Sequence, residues 1–243
     1  MKKPDLLCIG HRGAMGHAPE NTLNSIRKAL ELGAPCMEVD VYYVDGHLVV
    51  FHDERLERLT NGSGYLCDKT FDYLRSLDAG NGQQIPTLEE VCGVIASQAC
   101  LNIELKGPDT AVPVAELLSK LIDRGWDKEK FLVSSFHHLE LVEMRRLHPD
   151  IKLGALLRGI PVDASKFAED LSAFSVHPSL DCVNQRFVDD AHSRGLKVYA
   201  FAVDHREDIA RMQSLGVDGV FTAYPERVLQ NYSQGNARDG WGH

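Results

Sequence analysis

Short apolar runs alternate along the chain with longer stretches of helical period. Residues 6–10 read as a strand, and 22–32 as a helix with Leu23, Ile26, Ala29 and Leu30 on one side and Gly33 at its stop. Residues 36–44 form the next strand. Asp45-Gly46 is a tight-turn signal after which 47–51 returns as an added antiparallel strand. Residues 53–86, rich in Gly, Asn, Asp and Arg, read as an excursion over the surface, and Thr87 then caps a helix through Ala96. Strand patterns follow at 100–105, 131–135, 152–157, 173–177, 197–203 and 219–222. Between them lie helical patterns at 111–125, 139–147, 187–194 and 206–215, with a weaker, irregular one at 163–170. About eight strand–helix units result, the number that closes a parallel (β/α)₈ TIM barrel.

No Pro- or Ser-rich linker divides the 243 residues, so one domain is expected over 1–232, with 53–86 as its insertion. Residues 233–243, polar and Gly-rich, read as a loose C-terminal tail. Net charge is −9, which argues against a nucleic-acid backbone or an anionic lipid surface as partner. No apolar run approaches a bilayer span, so no stable membrane insertion is expected, and the first residues lead into too brief a run for a secretory signal. The six cysteines are scattered without a C-x-x-C pair, which points to free thiols in a reducing, cytoplasmic compartment. Oligomeric state leaves no mark in the pattern.

Charge changes the picture at the C-terminal ends of the expected strands, where barrel enzymes place their active sites. His11 and Arg12 follow the first strand, Glu38 and Asp40 lie in the second, His52 ends the added strand, and Glu104 and Lys106 end the next. Residues two apart on a strand share a face, so Glu38 with Asp40, and Glu104 with Lys106, point the same way. Strands of a parallel barrel are buried on both sides, and charges inside them need partners. Three inward carboxylates repel one another unless a cation sits among them. Glu38, Asp40 and Glu104 are therefore expected metal ligands, and an all-oxygen set suits Mg²⁺ or Ca²⁺ better than zinc. Arg12 and Lys106 beside such a cation make a phosphate clamp, with salt bridging to the same carboxylates as the plainer alternative. His11 and His52 flank the cluster as a pair suited to acid–base work on a phosphodiester.

His11-Arg12-Gly13, Ala18-Pro19-Glu20-Asn21-Thr22, Glu38-Val39-Asp40, His52-Asp53 and Glu104-Leu105-Lys106 together resemble the glycerophosphodiester phosphodiesterase family. The likeness continues through Ser134-Ser135-Phe136 and 216–222, and spans roughly 6–229. It implies a (β/α)₈ barrel with a small insertion after the second strand. It also implies metal-dependent hydrolysis of glycerophosphodiesters, such as glycerophosphocholine or glycerophosphoethanolamine, to sn-glycerol 3-phosphate and an alcohol. By position it assigns acid–base roles to His11 and His52, metal ligation to Glu38, Asp40 and Glu104, and phosphate contacts to Arg12 and Lys106. Glu20 and Asn21 match a further motif; as supporting residues, Asn21 or Thr22 would cap the helix and Glu20 brace the loop.

The chain departs from the family where a Trp-Thr-Val-Asn-like stretch is expected and Phe201-Ala202-Val203-Asp204 stands. That leaves the chemistry alone and bears on the fit around glycerol or the leaving alcohol. Phe201 and His177 are candidate pocket residues; His137 and His138 read as loop or surface histidines. A lysophospholipase D-type activity needs an apolar groove at the barrel mouth, which the polar segments 61–64 and 78–84 do not provide. A silent phosphodiester-binding protein would lack one of the histidines or carboxylates, and none is missing. A zinc hydrolase barrel is disfavoured by the absence of an H-x-H pair on the first strand.

Overall fold

A computed structural model describes residues 6–230 and 240–241. The first half of the chain runs β1 (Leu7–Gly10), α1 (Leu23–Glu31), β2 (Cys36–Val44), β3 (His47–Val50), α2 (Phe71–Ser76), α3 (Leu88–Ile95), β4 (Cys100–Leu105) and α4 (Ala111–Asp123). The second half runs β5 (Phe131–Ser135), α5 (His138–Leu147), β6 (Lys152–Leu157), α6 (Lys166–Asp170), β7 (Ser175–Pro178), α7 (Gln185–Ser193), β8 (Lys197–Ala200), α8 (Arg206–Leu215), β9 (Gly219–Thr222) and α9 (Pro225–Leu229). Every strand but β3 pairs in parallel with its neighbours, and β1 pairs with both β2 and β9, so eight strands close a barrel. β3 is antiparallel to β2 alone.

The local signals act as their chemistry requires. Thr22 caps α1 by accepting from the Ser25 N–H at 3.2 Å, and Thr87 with Glu90 forms a reciprocal capping box on α3. Outward strand residues such as Val39, Ile103 and Val133 are buried against the helix layer. The expected final turns of the strand at 197–203 are not taken: β8 stops at Ala200.

The segment 53–86 is more than a surface excursion. Leu56, Leu66, Leu74, Leu77 and Ile85 form a second apolar cluster on Tyr42, Val44, Val49 and Phe51. An antiparallel hairpin standing off the barrel has an apolar face to cover, and this segment covers it, with Thr70 capping α2 through the Tyr73 N–H at 3.3 Å.

The barrel floor is a third cluster: Leu7, Ile9, Cys36, Cys100, Leu132, Tyr199, Phe221 and Trp241. Trp241 corrects the expectation of a loose tail at its position. It is buried, donates through Nε1 to the Lys130 carbonyl at 3.1 Å, and accepts the Tyr199 hydroxyl on its own carbonyl at 2.6 Å. The rest of 233–243, like residues 1–5, lies outside the described residues. None of the six cysteines is in a disulfide. Among the described residues, no helix is long and apolar enough to cross a membrane.

Candidate active site

Register brings the carboxylates together. Asp40 and Glu104 are direct partners across β2 and β4, and Glu38 stands opposite Asn102. One oxygen from each of Glu38, Asp40 and Glu104 lies within 4.8 Å of the others, the one such acidic or mixed ligand cluster among the described residues. All three are buried.

The turn after β1 serves this cluster. Arg12 and Gly13 adopt left-handed φ values of 51° and 82°, and their consecutive N–H groups both aim at Glu38. The Arg12 N–H donates to Glu38 Oε2 at 2.9 Å, and the Gly13 N–H to the Glu38 carbonyl at 3.2 Å. A Cβ on Gly13 would stand 2.5 Å from the Ser25 hydroxyl and 2.7 Å from its carbonyl oxygen, so only glycine fits. Glu38 Oε1 is buried with no partner.

Two cations face three carboxylates. Arg12 Nε lies 3.2 Å from Asp40 Oδ2, and Lys106 Nζ lies 2.9 Å from Glu104 Oε1 and 3.5 Å from Asp40 Oδ1. Burial works against charge on Asp40, yet Arg12 and Lys106 outweigh it and hold the carboxyl below its ordinary range. Glu104 is pushed up to about 7 by burial and by Asp40. Burial, Asp40 and Glu104 raise Glu38 well above a normal carboxylate. The cluster is thus one positive charge short, and protons take up the difference when no cation does. An orphaned oxygen on Glu38 and a surplus of buried negative charge fit a hard divalent cation.

Asn21 and Glu20 take roles only partly foreseen. Thr22, not Asn21, caps α1; Asn21 sits at φ 58° and clamps Asp40, donating from Nδ2 to Oδ2 at 2.9 Å. Glu20 accepts from Arg12 Nη1 at 2.5 Å and from both terminal nitrogens of Arg58 at 3.0 Å. Arg58 also holds Asp53 at 2.6 and 2.7 Å, and Asp53 Oδ1 meets His52 Nδ1 at 2.5 Å. A continuous chain therefore runs from His52 through Asp53, Arg58, Glu20 and Arg12 to Asp40. Arg58 was not legible as a site residue; the His52-Asp53 dipeptide was the one hint of it.

His11 and His52 both line one cleft, with Arg12, Glu38, Glu104 and Lys106. Burial and the Arg12 guanidinium push His11 down to about 3, and burial also lowers His52. Both imidazoles are therefore neutral at pH 7 in the cation-free site.

The cleft holds about 620 Å³, and a second cleft of about 670 Å³ shares His52, Glu104, Lys106 and Phe136 with it. Phe201 lines the first, edge-on to Phe136 with ring centroids 5.7 Å apart. His177 does not line either cleft: it is fully buried inside the barrel, bonded to Ser175 Oγ at 2.8 Å and packed on Phe221 and Tyr199. The cause is Gly154 on the neighbouring strand, whose missing side chain makes room for the imidazole. His137 borders the second cleft, while His138 bonds the Leu156 carbonyl at 2.9 Å. Asp204 points away from the chemistry, accepting from the Thr222 hydroxyl and the Ala223 N–H. Asn102, Arg158, Asp181 and Arg211 also line the cleft and carried no local signal, except that Asn102 shares the face of Glu104.

With this geometry in hand, similarity to known proteins is informative. Residues 11–227 match the family model described as the glycerophosphoryl diester phosphodiesterase family. A glycerophosphodiester phosphodiesterase of Caldanaerobacter subterraneus subsp. tengcongensis is 37% identical over 239 residues, covering 94% of this chain and 98% of that protein. One of Bacillus subtilis is 33% identical, covering 92% and 85%. Among solved structures, an Oleispira antarctica phosphodiesterase in complex with the product sn-glycerol-3-phosphate superposes with a TM-score of 0.85 at 31% identity, covering 93% of this chain and 96% of that one.

Proposed function

Because the chain belongs to the glycerophosphoryl diester phosphodiesterase family, its cleft is that of a glycerophosphodiester phosphodiesterase, and we propose that it hydrolyses water-soluble glycerophosphodiesters with a divalent cation and two histidines. The observation that carries this reading is the buried triad Glu38, Asp40 and Glu104 in one cleft with Arg12, Lys106, His11 and His52. Glu38, Asp40 and Glu104 would hold Mg²⁺ or Ca²⁺, which supplies positive charge against the phosphate and the attacking oxygen. The product bound by the Oleispira relative, sn-glycerol-3-phosphate, is the half this cleft would retain after the alcohol departs.

The chain's own residues then divide the work. Arg12 and Lys106 are already held by carboxylates, so they meet the phosphodiester without further ordering. Asp53 occupies Nδ1 of His52, which leaves Nε2 to exchange a proton in the cleft. His11 and His52 share two transfers: the negative charge of the bound phosphodiester favours a proton on one imidazole, which supplies the departing alkoxide, while the other, neutral, takes the proton of the attacking hydroxyl or water. Glycerophosphocholine and glycerophosphoethanolamine are the test substrates. Phosphorus NMR should show each converted to glycerol 3-phosphate, with activity abolished by a strong chelator and restored by Mg²⁺ or Ca²⁺. Lys106→Met should cost roughly 100-fold in kcat/KM without unfolding the barrel. Unchanged turnover in chelator would remove the cation from the reading.

A further inference from the structure

The cleft that contains the carboxylate cluster has a second set of charges on its lining. Arg158, the first residue past β6, Asp181, in the loop after β7, and Arg211, on α8, all line it. Segment 179–183 joins the elements that carry them. The Gly159 N–H donates to Cys182 Sγ at 3.0 Å, which ties the loop after β6 to the loop after β7. Arg211 Nη2 reaches over from α8 to donate to the Val183 carbonyl at 2.9 Å. The Leu180 N–H donates to the Phe201 carbonyl at 2.7 Å, which fixes the segment to the residue after β8. The wall is therefore held from three sides before any substrate arrives.

Charge does not cancel on this wall. Arg12 and Arg58 are each held by carboxylates, whereas among the described residues Arg158 and Arg211 enter no ion pair. Arg158 lies over the Phe136 ring, 5.5 Å from its centroid, and Arg211 meets a neutral carbonyl. Asp181 is the one carboxylate of the described lining outside the cluster, and it is taken up by the Ser179 hydroxyl. That hydroxyl, with a smaller contribution from Arg158, lowers its carboxyl. Two positive charges thus stand against one negative. Glycerol is neutral and needs no charge there, and an ammonium head group gains nothing from a net positive wall. Guanidinium groups match phosphate and carboxylate oxygens two at a time. We propose that this arm of the cleft selects diesters whose alcohol carries an anionic group of its own, a phosphate or a carboxylate, with Arg158 and Arg211 as its contacts. The net charge of −9 opposes such a substrate at long range, so a preference for it has to come from this local pair. Net reaction is hydrolysis: the oxygen of water bonds to the diester phosphorus, the bond from phosphorus to the alcohol oxygen breaks, and the alcohol leaves with a proton. Its own anionic group is untouched.

This inference rests on the phosphodiesterase reading of the same cleft, and its test separates the two. Four diesters of sn-glycerol 3-phosphate are compared, all with a two-carbon arm on the alcohol oxygen that ends in an ammonium, a hydroxyl, a carboxylate or a phosphate. In the wild type, kcat/KM for at least one anionic ester should exceed that for the hydroxyl ester by about tenfold or more. Arg158→Gln combined with Arg211→Gln should bring this ratio towards one, and Asp181→Asn, which removes the opposing charge, should raise it. Salt increased from about 0.02 M to about 0.5 M should shrink the wild-type ratio, because both guanidinium groups are open to solvent. Turnover of the four esters without an anionic preference overturns the subsite and leaves the diesterase intact; turnover of none overturns both. A preference that survives the double arginine substitution, or that salt does not move, also overturns the subsite.

Discussion

Asn21 grips Asp40 at two points: Nδ2 donates to the carboxylate at 2.9 Å, and Oδ1 accepts the Asp40 backbone N–H at 3.3 Å. The same residue bears a left-handed backbone, φ 58°, that brings it under β2 directly after Glu20. Two residues of one loop thereby hold opposite ends of the cluster, Asn21 on a carboxylate and Glu20 on the guanidinium of Arg12.

Replacing Asn21 should therefore damage the site and the fold together. Asn21→Ala loses one bond to the buried Asp40 carboxylate and one from its backbone N–H and keeps a strained backbone, for a cost of roughly 2–4 kcal/mol in thermal or denaturant unfolding. Asn21→Gly relieves the backbone but not the loss of the clamp, so it should be more stable than Asn21→Ala and equally weak in cation binding. Wild-type affinity in Asn21→Gly, read by calorimetry, would reduce Asn21 to a turn residue.

Cation binding should release protons. Glu104 is pushed up to about 7 and Glu38 well above an ordinary carboxylate, so below neutrality a proton occupies the cluster and competes with the cation. Apparent affinity should rise with pH, by about tenfold per unit for each proton displaced, until the carboxyls are ionised. Calorimetry in buffers of different ionisation enthalpy counts those protons. Glu104→Gln should bind at least about tenfold more weakly and release fewer. Affinity independent of pH contradicts the assignment.

The histidines should be separable from the cation and from each other. His11→Ala and His52→Ala should each lose about 100-fold or more in turnover of glycerophosphodiesters and still bind the cation. A nitrophenol leaving group needs little protonation, so a nitrophenyl ester should rescue one variant and not the other. Equal rescue of both refutes a division of acid and base between them.

Arg58 should tie stability to pH. Its hydrogen bonds, with those from His52, depress the Asp53 carboxyl, and with Arg12 it overcomes burial to lower Glu20. Depressed carboxylates stabilise the fold above their unfolded pKa, near 4, and that contribution is lost as pH falls through their folded values. Arg58→Met should lower stability at pH 7 by at most about 1 kcal/mol, because these groups are partly open to solvent, and should flatten the acid side of a Tm-against-pH curve. An unchanged acid limb would leave the pairs without energetic weight.

Much of this molecule was readable from local chemistry. Cys36–Val44, Cys100–Leu105, Phe131–Ser135 and Lys152–Leu157 run where the short apolar runs place them, and Thr87 caps where a capping box is spelled out. The two-residue period set Glu38 with Asp40, and Glu104 with Lys106, on shared faces, because a strand's geometry follows from the chain alone. Register and closure of the barrel then decided what those faces meet. They made Asp40 and Glu104 partners and Asn102 a member of the cleft. They buried His177 in the space left by Gly154 and brought Arg58 to Glu20, far from it along the chain. Trp241, at the end of a polar stretch, reads as tail until the open floor of the barrel gives its ring an apolar place and its N–H a carbonyl. Such contacts depend on packing between distant segments, and no local pattern of residues encodes them.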